Sequence, residues 1–143
     1  MPADPAFVLD AMVLTEVARG DSDTIILLQQ LDAEKITLIV PALAVTGAAV
    51  DVGCVDEQLA TVRGVCRLNS AKFVGPATFD DSADLAQLRL EIESLGELWD
   101  VHTAVQAILH GCPILTTDYG RWKDAVLEAR GALSVVEVTD LDD

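Results

Sequence analysis

Short apolar runs, each too brief for a helix and each cut off by a proline, a glycine or an aspartate, limit what this chain can fold into. ITLIV (36–40) is the clearest: it is rich in β-branched residues and bounded by Pro41. A run of that length and composition reads as a buried strand. AFVLD (6–10) and PILTTD (113–118) are two more, each ending in an aspartate, and LSVVEV (133–138) is the last. KFVGPATF (72–79) is interrupted by Gly75 and Pro76 and reads as a short strand or extended link. Between these runs the periodicity is helical. Residues 11–19 form one such stretch. SDTIILLQQLDAEK follows, with Ser22 or Asp23 as N-cap and apolar positions at 25, 28 and 31. A third helix opens at Pro41 and runs to about Val52. DEQLATVRGVCRL carries Leu59, Val62, Val65 and Cys66 on one face, and DSADLAQLRLEIESL turns Leu85, Leu88 and Ile92 inward. ELWDVHTAVQAILHG is closed by Gly111, and RWKDAVLEAR makes the last helix. Strands apolar on both faces, alternating with helices, require cover on both sides. The expected fold is a three-layer α/β/α arrangement around a central, mostly parallel sheet. With no repeat, linker or low-complexity segment, residues 1–143 read as one domain.

Composition removes several classes of function. No apolar run approaches the roughly 18 residues needed to span a bilayer. The leading residues MPADPAFVLD lack a basic segment and a long apolar one, so no secretory signal is expected. Three cysteines, Cys54, Cys66 and Cys112, have no C-x-x-C spacing and read as buried free thiols of a cytoplasmic protein. Nine Lys and Arg stand against 24 Asp and Glu, for a net charge of −15. That balance leaves no large basic patch to grip nucleic acid. Part of it is solvated helix starts and the acidic tail DLDD. If the substrate is a nucleic acid, bound metal ions or a basic partner must mediate.

Ligands of open parallel sheets bind outside the carboxyl ends of the strands. Asp10 and Asp118 end two expected strands there. Asp100 sits on the first turn of the helix leading into the second of them, on a face continued by Ala104, Ala107 and Gly111. Three carboxylates at one sheet edge repel one another unless a cation lies between them. A hard divalent ion with oxygen ligands, Mg²⁺ or Mn²⁺, fits that set better than Zn²⁺ and points to phosphodiester chemistry. His102 and His110, eight apart, do not make a zinc motif. A plainer reading stays open beside this one. Asp10 and Asp118 each serve as a cap for the helix that follows, and Asp100 is favourable near a helix N-terminus by dipole alone.

VLDAMVL, VPALAVTGAAV and DVHTAVQAILHGCPILTTD occur in the order and approximate spacing of the PIN domain, and the chain resembles that family over nearly its whole length. The block from Asp100 to Asp118 carries the likeness best. PIN domains are small α/β nucleases, and the VapC toxins of toxin–antitoxin pairs are their most numerous members. The resemblance implies a Mg²⁺- or Mn²⁺-dependent endoribonuclease acting on RNA, with Asp10, Asp100 and Asp118 as metal ligands and Thr116 ordering the site. It also implies a homodimer silenced by an antitoxin that occupies the active-site groove. Two departures stand out. Ala11 and Met12 follow the first acid where the family has polar residues, and the family's second acid, a Glu, falls on Gly47. Asp51 lies one helical turn further on. A glycine there gives weight to a second function, that of a catalytically inactive PIN module binding RNA or a protein. Arg121 and Lys123 are expected to be solvated helix residues, and Trp99 and Trp122 to be core or interface residues.

Overall fold

The computed structural model describes residues 5–141; residues 1–4 of the leading segment and the last two of the acidic tail lie outside it. Among the described residues, the strands are β1 (Ala6–Leu9), β2 (Thr37–Pro41), β3 (Ala71–Val74), β4 (Ile114–Thr116) and β5 (Val135–Glu137). They form one sheet in the order β3-β2-β1-β4-β5, and every pairing is parallel. Side chains alternate across it as the pleat demands. Leu9, Leu38, Val40 and Leu115 enter a core on one face, while Val8, Ile39 and Ile114 enter a core on the other. Both faces being buried explains why these strands read as unbroken apolar runs.

The first face is covered by α1 (Ala11–Ala18), α2 (Ser22–Ala33), α3 (Ala42–Asp51) and α4 (Asp56–Cys66). The second is covered by α5 (Phe79–Glu91), α6 (Leu98–His110) and α7 (Lys123–Glu128). The three-layer α/β/α arrangement expected from the sequence is therefore present. The helix ends follow local chemistry. Thr78 and Asp81 form a reciprocal capping box at the start of α5, and Gly111 ends α6 in the left-handed region at φ 62°.

Several expectations need correction. The N-cap of α2 is Asp21, whose carboxylate accepts the Thr24 amide, so neither Ser22 nor Asp23 fills that role. RWKDAVLEAR is not one helix: Tyr119–Arg121 makes a 3-10 turn and only Lys123–Glu128 is α-helical. A short α8 (Val138–Leu141) follows β5. All three cysteines are free, but none is fully buried: Cys54 is exposed, and Cys66 and Cys112 are partly exposed. No helix of the described residues is long and apolar enough to cross a membrane.

Two features of this layout build the site. The strand order reverses between β1 and β4, which opens a crevice at their carboxyl ends. Helix α3 packs against both α1 and α6, so it walls that crevice on one side.

Candidate functional site

Asp10 ends the central strand and is fully buried. Its Oδ1 accepts the Val13 amide at 2.9 Å, which caps α1 as the plainer reading proposed. Its Oδ2 accepts the indole N–H of Trp122 at 2.8 Å, across 112 residues of sequence. Burial pushes the pKa of Asp10 up, against the Thr116 hydroxyl, the Trp122 indole and the Val13 amide, which favour the anion; the nearby Asp100 carboxylate adds to the rise.

Asp100, on the first turn of α6, is also buried. Its Oδ2 accepts both Nη2 of Arg121 at 2.7 Å and Nε at 3.2 Å. Its Oδ1 is buried with no partner among the described residues. Burial raises the pKa of Asp100 and outweighs the neighbouring guanidinium, which lowers it. Arg121 was expected to be a solvated helix residue. It is indeed exposed, but it lies on the 3-10 turn and is the salt-bridge partner of Asp100.

Thr116 is fully buried at the end of β4, and its Oγ1 accepts the Asp118 amide at 3.2 Å. Asp118 itself lies two residues beyond the strand and is exposed. Its Oδ1 accepts the Gly120 amide at 3.0 Å and so caps the 3-10 turn. The structure thus brings Asp10, Asp100 and Thr116 together at the sheet edge and leaves Asp118 exposed beyond the strand end.

The α3 wall differs. Gly47 is buried, and a Cβ built on it would stand 2.6 Å from Cγ of Trp99 and 2.8 Å from the adjoining ring carbons. The indole therefore occupies the place where any side chain at 47 would begin. Asp51 does not reach the aspartates: its Oδ2 is held by Arg19 at 3.1 Å on the exposed rim. A cleft of about 430 Å³ opens above this floor, lined by residues that include Met12, Glu16, Asp51, Glu97, Trp99 and Arg121. His102 stands apart from it, its Nδ1 accepting the Leu43 amide at 3.3 Å and tying α6 to α3.

The donor set does not fit a divalent ion. Both oxygens of Asp10 already accept N–H groups, one oxygen of Asp100 is taken twice by a guanidinium, and the position expected for the second acid is Gly47, covered by an indole. Among the described residues no group of three or more His, Cys, Asp and Glu side chains is placed to hold a metal. The expected ligand set of Asp10, Asp100 and Asp118 is not assembled.

Three residues that shape this site were not assigned to it from sequence. Arg121 and Trp122 are consecutive, and nothing in their spacing says that they turn back onto Asp100 and Asp10. Trp99 left one legible trace. A glycine inside a helix, far from either end, is costly and implies close packing.

No family model and no curated protein sequence matches the chain. Among the solved structures with a similar fold are two that span nearly the whole chain. PAE2754 from Pyrobaculum aerophilum is 18% identical over 96% of this chain and 87% of its own, with a TM-score of 0.56. FitAB, solved bound to an IR36 DNA fragment, is 16% identical over 92% of this chain and 94% of its own, with a TM-score of 0.58. Likeness at such identities concerns the fold alone.

Proposed function

We propose that this chain is a PIN-like module that works by holding a protein partner in the cleft above Asp10 and Asp100, without metal-dependent hydrolysis of RNA. The observation that carries this reading is the Trp99 indole over Gly47. The acid is not merely missing; its space is filled. The cleft also has the chemistry of a polypeptide groove. Trp99 and Met12 offer apolar surface, and the rim is of mixed charge: Glu97 beside Arg121, and Glu16 and Asp51 paired with Arg19. A basic partner of the antitoxin kind suits the net charge of −15. FitAB was solved on DNA; in a chain as acidic as this one, any contact with DNA would pass through such a partner.

A second reading is favoured by one observation, the buried and unpartnered Oδ1 of Asp100. It is an oxygen without a donor, as a ligand oxygen would be. On that reading the chain is a Mg²⁺- or Mn²⁺-dependent endoribonuclease with Asp10, Asp100 and Asp118 as ligands and Thr116 beside them. Arg121 must then leave Asp100 before a metal can enter.

Incubation of mixed RNA with the wild-type protein and Mn²⁺ separates the two. The binding reading expects no cleavage above the metal-free control. Cleavage that requires Mn²⁺ and disappears in Asp118→Asn would overturn it in favour of the nuclease.

A further inference from the structure

The closed site raises the question of what balances its negative charge. Asp100 is only 6% exposed and Asp10 is fully buried, and the Asp100 carboxylate lies near enough to act on Asp10. An isolated charge is not tolerated at such a depth, so a partner must come with it. It comes from two consecutive residues. Arg121 reaches Asp100 with Nη2 and Nε, at 2.7 and 3.2 Å, while Trp122 reaches Asp10 with its indole N–H at 2.8 Å. The 3-10 turn that presents them is capped by Asp118, the residue expected to be a ligand.

We infer that the Arg121–Trp122 pair is a built-in substitute for a divalent ion, with the Arg121 guanidinium as the resident cation of the Asp10–Asp100 site. This rests on the reading that the wild-type site takes no metal. A guanidinium is suited to the part because it stays protonated at any working pH and presents several N–H groups in one plane. It is unlike an exposed ion pair, which contributes little, because the carboxylate it meets is withdrawn from water. The arrangement is also incomplete in an informative way. Both N–H groups fall on Oδ2, and Oδ1 of Asp100 stays without a donor among the described residues. Removing the guanidinium would therefore free a carboxylate beside Asp10 that has one oxygen already unoccupied. Trp99 and Gly47 restrict how tightly a cation could then be held. The space at position 47 remains filled, so a cation admitted beside Asp10 and Asp100 finds a reduced ligand set and no acid from position 47.

The test is Mn²⁺ binding, read by electron paramagnetic resonance of the free ion, in the wild type, Arg121→Gln, Arg121→Lys and Arg121→Gln/Asp100→Asn. Wild type and Arg121→Lys, which keep a cation, are expected to show only weak, non-saturating binding. Arg121→Gln is expected to gain one saturable site at least about tenfold tighter, the scale on which neighbouring groups alter metal affinity. The double variant is expected to lose it. If Arg121→Gln does not fold, Arg121→Met retains the side-chain stem without the charge and takes its place. A folded Arg121→Gln or Arg121→Met with no gain overturns the inference and leaves the binding function standing. Tight Mn²⁺ binding by the wild type that Asp100→Asn abolishes overturns that function itself.

Discussion

The two walls of the cleft meet at one sheet edge, yet they are built on opposite principles. The wall made by β1, β4 and the start of α6 is polar and buried: Asp10, Asp100 and Thr116 lie inside it, tied to Val13, Trp122, Arg121 and the Asp118 amide. The α3 wall differs: at Gly47 it has no side chain, and the Trp99 indole packs into the space. The first wall uses its buried aspartates for internal hydrogen bonds and an ion pair. The second offers no side chain at position 47, where the Trp99 indole packs instead. Acids gathered at a sheet edge are thus not by themselves evidence of a working metal site.

The hardest test of the polar wall is Asp10→Ala. It removes the cap of α1, worth about 1 kcal/mol, and leaves the Trp122 indole N–H buried without an acceptor, worth about 1–3 kcal/mol. Urea unfolding is expected to show a loss of about 3 kcal/mol, with most of the indole share already missing in Trp122→Phe. A loss below about 1 kcal/mol would mean that Asp10 is not a structural hub.

The α3 wall is tested by Gly47→Ala. On an open helix face this change stabilises by about 1 kcal/mol through helix propensity. Here the new methyl group meets the Trp99 ring at 2.6 Å, and overpacking of that kind costs about 1–3 kcal/mol. The expected outcome is a net loss of about 1 kcal/mol in the wild type and a gain of about 1 kcal/mol in a Trp99→Ala background. Stabilisation in both backgrounds would show that Trp99 swings away freely and that position 47 is open. Gly47→Glu meets the same ring, so it does not simply restore an acidic site.

How much of this could be read from the sequence depends on the range of the forces involved. The strands and most helices are local statements, and ITLIV, AFVLD and the Gly111 cap said them plainly. The carboxyl-edge placement of Asp10 and Asp100 came from strand direction and sheet topology. What stayed hidden was the state of each carboxylate, because its partners are remote: Trp122 stands 112 residues from Asp10, and Arg121 stands 21 from Asp100. Asp118 was hidden for a different reason. PILTTD looks like a strand up to its last residue, but the ladder stops at Thr116, and two residues are enough to carry the side chain from the crevice into solvent. Gly47 was legible as an oddity, and only the fold could say that an indole covers it.

A smaller and purely electrostatic test compares wild type with Asp10→Asn across pH. The folded-state pKa of Asp10 is raised above the ordinary value of 3.8. Between 3.8 and that raised value the folded chain holds a proton the unfolded chain has released. Wild-type stability therefore falls as pH rises through this window, relative to the variant, which has no proton to lose there. His102 pulls the other way in both proteins, since burial lowers its pKa below 6.5 and stability is lost as pH falls past that point. Taking the difference between the two proteins removes the His102 contribution. A difference that grows in the opposite sense, with wild type gaining on Asp10→Asn as pH rises, would place Asp10 among donors strong enough to overcome its burial.

The smallest expected effect belongs to Asp118→Ala, and it decides whether the contrast extends beyond the strand end. Asp118 is exposed and its carboxylate accepts one amide, that of Gly120, at 3.0 Å. Water replaces such a bond at little cost, so the expected loss in urea unfolding is within about 0.5 kcal/mol. The turn it caps nevertheless presents Arg121 and Trp122 to the two buried aspartates. A loss approaching that of Asp10→Ala would mean that the cap holds the whole polar wall in register, and that the division between a buried, committed Asp10 and an exposed, free Asp118 is false. A small loss keeps Asp118 free of structural duty. Of the three sheet-edge aspartates it is then the one that the fold does not depend on, while Asp10 and Asp100 are committed to Val13, Trp122 and Arg121.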